Sequence, residues 1–419
     1  MYNKNIPKIG SDMKKVNSNK TTLIVSFIGL FLISLGLSFL VFSYISPKKA
    51  NNLVTNIVKK SKINLDAPKV AECPINGQKY TKAEEDIWNT RRPIVAMVEN
   101  SSDSRPGFGF TKADVIYEGV AEGGITRFVT VFYCGAAAEA VKAAPIRSAR
   151  VYFVRMAAGY GTDPIFLHQG EANNICSTCP GGVKPRSQID PTVNALTLFD
   201  KLGWEGGTKG NNLDGGYNIG FPIVTRNVNR LGADITLAWE HSVIADLDAV
   251  WADAIKRNLA FKDENGDAWN KNFKKWTFQD DKASSSPVAA DIKLGFWSNQ
   301  PSYDVEWKYD SASNSYMRFN GGASFVDFTN NKTQVAAKNV VVMFAKEKGP
   351  VDTEKHMFYE VTGTGNAIVF QNGQVIKGTW SKATDLDREV FYDDNHAVVP
   401  LVRGQTWIEI VPAGNTISY

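Results

Sequence analysis

The sequence predicts an α+β protein: a mixed α/β domain over 86–260, a β-rich domain over 289–419, and a transmembrane helix ahead of both. Three observations predict it. Strand-like apolar runs alternate with helix-like segments through 87–255, period-two alternation takes over beyond Ala289, and one stretch near the N-terminus carries no charge. With 419 residues, 43% hydrophobic and 21% charged, the chain is too long for one ordinary domain and too apolar for a disordered or collagen-like one.

The uncharged stretch is TTLIVSFIGLFLISLGLSFLVFSYISP, residues 21–47. A helix over 23–45 would be about 34 Å long at ~1.5 Å per residue, sufficient to cross a bilayer. It exceeds the apolar core of a cleaved signal peptide, and no small-x-small site follows before Pro47-Lys48-Lys49, so the reading is an uncleaved signal anchor over 21–46. No cysteine near its end offers a site for lipoprotein processing. Residues 1–20, the expected cytoplasmic tail, hold five lysines against Asp12, whereas the chain from Thr21 onward holds 42 basic and 42 acidic side chains. The basic balance belongs to the flanks of the apolar segment, and it argues for a single-pass cell-membrane protein with most of its chain extracytoplasmic rather than for nucleic acid as a partner. Residues 47–85 mix Lys, Asn and Thr with short apolar runs and read as a stalk.

In the first domain PIVAMV (93–98), DVIYE (114–118), RFVTVFY (127–133) and PIFLH (164–168) read as strands, with Glu122-Gly123-Gly124 as a turn and 149–160 as a helix. Residues 261–288 read as a connecting loop, and the acidic group at 263–267 lacks the ligand spacing of a calcium loop. In the second domain YDVEWKY (303–309) and WIEIV (407–411) alternate, and Asn372-Gly373 between 367–370 and 374–376 is a hairpin signal. Tyr303, Trp307, Tyr309, Trp380 and Trp407 form either a stacking surface for sugars or, as alternating strand aromatics more often do, a core. Of the four cysteines, Cys176 and Cys179 are the candidate disulfide; a metal site or redox pair fits the Cys-x-x-Cys spacing less well, because no second such pair exists and Pro180-Gly181-Gly182 reads as a turn.

At MVENSSDSRPGFGFTKADVIYEGVAEGGITRF (97–128), APIRSAR (144–150) and IFLHQG (165–170) the chain resembles the YerB-like family, bacterial envelope proteins built from two consecutive domains. The likeness continues in SYDVEWKYD (302–310), Tyr316-Met317-Arg318, the run at 338–343, GTGNAIVFQNGQVIKGTW (363–380) followed by Lys382, and GQTWIEIV (404–411). The resemblance implies exported, surface-associated placement and two domains, with no established catalytic mechanism. Members are often lipid-anchored through a cysteine, where this chain has the apolar segment. An Arg followed by Ala-Pro-His-Asn, usual near the end of the first domain, has only a loose counterpart in Arg226, Arg230 and Trp239-Glu240-His241-Ser242.

Asn100, Asp114, Glu118, Glu122, Arg127, Arg147, Arg150, His168 and Glu171 stand at the ends of apolar runs or beside glycines, positions from which side chains converge at a sheet edge. Arginine forks suit carboxylate or phosphate, so such a site fits an anionic glycan, a wall-peptide carboxylate or a pyrophosphate-linked lipid. The alternative is that these charges pair internally. His168 is either a general base or a hydrogen-bonded strand-end histidine. No Gly-x-Ser-x-Gly, His-Glu-x-x-His or Walker motif occurs, and no cofactor or metal is implied. The expectation is a membrane-anchored envelope protein that binds a wall polymer, a precursor or a wall-synthesis partner, with an envelope enzyme acting on glycan or phosphate-linked groups and a docking scaffold as alternatives.

Overall fold

The computed structural model describes residues 27–31, 33–34, 63–172, 192–204, 210–352 and 354–419. The chain divides into Met1–Val58 and Lys59–Tyr419, and the second unit carries all the sheets. The membrane-spanning helix expected over 21–46 has to be corrected. Among the described residues no helix is long and apolar enough to cross a membrane. Of that segment only 27–31 and 33–34 are described, as helix. The signal anchor, the membrane as a partner through that helix and the single-pass cell-membrane placement fall with it. The tail expected over 1–20 and the Cys176–Cys179 pair lie outside the described residues.

Lys59–Tyr419 has a mixed α/β N-terminal region followed by a β-rich C-terminal one. The unbroken apolar runs form strands buried on both faces: β1 (Ile94–Glu99), β2 (Val115–Glu122), β3 (Ile125–Phe132) and β4 (Ile165–His168). Gly123 and Gly124, both at positive φ, turn β2 directly into β3. Helix α1 (Val151–Ala158) buries every residue but Arg155. Helix α2 (Ala195–Leu202) is capped by Asn194, the short strand β5 (Asn212–Asp214) follows, and helix α3 (Leu247–Lys256) is capped by Asp246. The C-terminal region supplies β6 (Asn339–Lys348), β7 (Gly363–Gln371), β8 (Gln374–Lys382), β9 (Val390–Asp393) and β10 (Thr406–Pro412). Asn372 and Gly373, at φ 55° and 68°, close the β7–β8 hairpin, with Gln371 opposite Gln374.

These strands make one sheet in the order β9-β8-β7-β6-β10-β2-β3-β1-β4-β5, with Phe358–Glu360 paired to the end of β6. The last strand, β10, lies between β6 and β2 and is parallel to both, so Ile408 faces Val341 on one side and Tyr117 on the other. A smaller antiparallel sheet contains Asp291–Leu294, Val305–Asp310 and Ser315–Asn320. Trp307, Trp380 and Trp407 are buried in the core that both regions share. Within 47–85, Lys69–Glu72 and Lys79–Thr81 form a hairpin, and the helix Lys82–Trp88 starts at a Thr81–Glu84 capping box. Cys73 is joined to Cys134, which follows β3, with their Cα atoms 6.0 Å apart.

A buried charge cluster ties the two regions together. Arg318, from the small sheet, donates to Glu118 of β2 and, at 2.8 Å, to Glu409 of β10, and none of the three side chains has exposed surface. The guanidinium lies 4.1 Å from the Trp407 ring centroid, and Trp307 Nε1 donates to Glu409 at 3.0 Å. Burial, aided by the neighbouring Glu118 and opposed by Arg318, pushes the Glu409 carboxyl up to about 8. Burial thus favours the protonated form of Glu409, against the pull of the guanidinium beside it. Asn100 and Thr126 donate to the other oxygen of Glu118 at 3.0 and 2.6 Å.

Arg318→Met leaves the carboxylates without their cation and is expected to lower unfolding stability by about 3–5 kcal/mol. Adding Glu118→Gln and Glu409→Gln should restore part of that in urea titrations, whereas an equal loss in single and triple variants would mean the cluster is not an electrostatic unit. Replacing Cys73 and Cys134 by Ala opens a crosslink with a sequence separation of 61. The expected cost is roughly 4 kcal/mol by chain entropy; dithiothreitol should lower the Tm of the parent and leave that of the double variant unchanged.

Candidate functional site

β1 and β2 are both antiparallel to β3, and β4 and β5 are parallel to β1, so four strands end along one edge of the sheet. Glu99, Glu122, His168 and Asp214 are the last residues of β1, β2, β4 and β5, and Arg127 sits near the start of the opposed β3. The outer side of such carboxyl ends is where open α/β sheets receive ligands. Residues 144–150 run across these ends. Glu99 N–H donates to Pro145 O at 2.9 Å, Arg147 N–H to Met97 O at 3.0 Å, Gln169 N–H to Arg147 O at 3.1 Å and Ala149 N–H to Gly170 O at 2.9 Å.

Two charged groups result. In the first, Arg127 and Arg150 each donate to one oxygen of Glu122, and Arg127 also donates to Ser148 O at 3.1 Å. Burial acts to raise the Glu122 carboxyl, but the two arginines outweigh it and hold it down at about 2. Residues 355–357 of the C-terminal region cover this end of β2, with Gly123 N–H donating to Lys355 O and Met357 N–H to Ala121 O, both at 3.1 Å. His356 pairs with Asp352 at 2.6 Å, while burial and then Arg150 lower its proton affinity.

In the second group Glu99 is the buried anion. Its Oε2 meets His241 Nδ1 at 2.8 Å and its Oε1 meets Arg147 Nε at 3.2 Å. The bond to Glu99 raises the His241 proton affinity against the effect of burial. Among the described residues Glu99 is the one acid paired with the Arg147 side chain, which keeps about a quarter of its surface exposed.

The remaining residues expected at the site go elsewhere or are differently engaged. Asn100 and Glu118 belong to the buried cluster around Arg318. Asp114 precedes β2, so it lies about 27 Å from Glu122 along the strand. There it accepts from Asn76 at 2.6 Å, Tyr133 N–H at 2.7 Å and Gly135 N–H at 3.0 Å, and burial, opposed by those backbone bonds, pushes it up to about 7. His168 is at the edge with both ring nitrogens engaged, Nδ1 to Gly170 O and Nε2 to Asn212 Oδ1, each at 2.7 Å. Glu171 bridges to Ala149 and stands with His168 and Asp214 in a group whose ligand atoms all lie within 4.8 Å of one another. Asp214 Oδ1 already accepts from Gly170 and Gly216 N–H at 3.0 and 2.7 Å, so these residues suit a hydrogen-bonded strand end better than an ion site.

Sequence reasoning passed over Glu99, Arg318 and Glu409, and it gave Arg226 and His241 no role. The signal for Glu409 was its period-two spacing from Trp407, which puts a carboxylate on the same face as a buried aromatic. For Glu99 it was a carboxylate directly ending an apolar run.

Comparison with known proteins covers most of the chain. A model described as the N-terminal domain of a protein of unknown function (DUF3048) matches residues 80–190, and its C-terminal counterpart matches 292–408. The Bacillus subtilis (strain 168) protein described as "Putative lipoprotein YerB" is 27% identical over 348 residues, covering 83% of this chain and 88% of that protein. The crystal structure of YerB protein from Bacillus subtilis aligns with a TM-score of 0.61 at 24% identity, over 84% of this chain and 100% of that one, a likeness of fold.

Because the folded value of Glu122 lies below its ordinary 4.5, its contribution is complete above that pH and disappears as pH falls toward 2. Glu122→Gln is expected to cost roughly 3 kcal/mol at neutral pH. Urea unfolding at pH 7, 4 and 2.5 should show the gap to the parent closing with acidity, and a gap independent of pH would refute the double-arginine clamp.

Proposed function

This chain belongs to the YerB-like two-domain family, and on that footing we propose that it acts in the cell envelope by binding an anionic wall polymer or its precursor at the carboxyl ends of its strands. The observation that carries this reading is the unequal use of the arginines there. Glu122 is clamped by Arg127 and Arg150, while Arg147 holds Glu99 through Nε alone. A guanidinium fork turned partly to solvent beside a saturated ion-pair group is suited to an incoming carboxylate or phosphate.

Envelope placement is supported by the relative's description as a lipoprotein and by the Cys73–Cys134 bond, which suits an oxidising compartment. Binding is favoured over catalysis because a carboxyl held at about 2 is a poor proton acceptor at neutral pH, and both His168 nitrogens are taken by protein groups.

Calorimetry of the purified protein against phosphate-containing and carboxylate-containing wall polymers is expected to give saturable binding that weakens with salt. Arg147→Ala should weaken it about tenfold or more, the worth of a charge-assisted hydrogen bond. The proposal fails if neither polymer class binds, or if both bind Arg147→Ala as tightly as the parent.

A further inference from the structure

Beside Arg147 stands a second arginine that no role so far explains. Ile146 N–H donates to Val243 O at 3.0 Å, and Val243 is the strand partner of Arg226, so Arg147 and Arg226 project from chain segments separated only by the strand at 243. Burial and then the Arg147 charge lower the proton affinity of Arg226, which places the two guanidiniums within reach of each other's field. Among the described residues Arg226 has no carboxylate partner. It donates to Trp239 O at 2.9 Å and lies 4.7 Å from the centroid of that ring. Trp239 is 64% exposed, an unusual state for so large an apolar side chain. His241, two residues on, faces Glu99, with Glu240 and Arg147 as its other charged neighbours.

We infer that this corner binds the phosphate of a glycosyl- or polyol-phosphate repeat, with Arg147 and Arg226 on the phosphate oxygens and Trp239 stacked on the adjoining sugar. The inference rests on the anion-binding reading above and narrows it. A planar carboxylate is satisfied by one guanidinium fork, whereas a tetrahedral phosphate presents oxygens in several planes and accepts two forks from different sides. It also relieves the repulsion between Arg147, paired with Glu99, and Arg226, which among the described residues has no acid of its own. The exposed indole, backed by a cation, offers a flat apolar face of the kind that sugars cover.

The test is calorimetry on the full chain with four probes: poly(glycerol phosphate), the same polymer carrying glucose, polygalacturonate, and phosphatidylglycerol vesicles. Both phosphate polymers should bind, and polygalacturonate should bind at least tenfold more weakly. Arg226→Ala should weaken the phosphate polymers tenfold or more with Tm unchanged, and Arg226→Lys should recover only part of that. Trp239→Ala should affect the glucose-bearing polymer alone. Phosphate binding unaltered by Arg226→Ala overturns the inference, as does vesicle binding as tight as that of the polymers. If polygalacturonate binds and the phosphate polymers do not, this inference fails while the anion-binding reading stands; if none of the probes binds, both fail.

Discussion

Arg318 cannot stay buried without an anion beside it, and that requirement organises the rest of the molecule. Glu118 and Glu409 meet it from two neighbouring strands that are more than 280 residues apart in the chain. The carboxylates reach one guanidinium only if β10 lies parallel to β2 in the observed register, with Glu409 beside Glu118. A slip by one residue would turn Glu409 to the opposite face and take one of the two carboxyl partners from the buried guanidinium. The aromatic rings around Arg318 exclude water, which makes the pairing more demanding, and the same burial pushes the Glu409 carboxyl upward.

That register carries through to the sheet edge. With β2 fixed against β10, Glu122 arrives where Arg127 and Arg150 close on it, and β1 delivers Glu99 to Arg147 and His241. The core cluster and the edge clusters use the same pairing chemistry with different outcomes. In the core every charge is enclosed and the arrangement holds two regions together. At the edge the buried acids Glu99 and Glu122 fix the bases of the arginines, and the exposure left to Arg147 and Arg226 gives the protein a surface of positive charge on a rigid support.

Much of the first region was legible along the chain. The runs at 93–98, 114–118, 127–133 and 164–168 are strands because burial on both faces demands unbroken apolar sequence, and Asn372-Gly373 is a hairpin because both residues accept positive φ. The site was legible only in part. Position beside an apolar run identified Glu122, Arg127, Arg147 and Arg150, but the same signal also selected Asp114, at the opposite end of β2, and Asn100 and Glu118, which face inward. Chain position does not tell which end of a strand faces solvent. The apolar stretch at 21–46 suggested a membrane crossing from hydropathy alone, and the described structure holds no helix of that length.

By itself the sequence determined where strands and turns fall, that an α/β region precedes a β-rich one, and that arginines and carboxylates gather around the first region's strand ends. These are properties of local pattern, set by periodicity and backbone preference. Only the tertiary structure decided that the last strand joins both regions into one sheet, that Cys73 pairs with Cys134, and that Arg226, Trp239 and His241 stand beside Arg147. Those outcomes depend on pairings between residues distant in the chain, and such pairings are selected by the cost of leaving a buried charge or strand edge unmatched, a cost that appears only once the chain has folded back on itself.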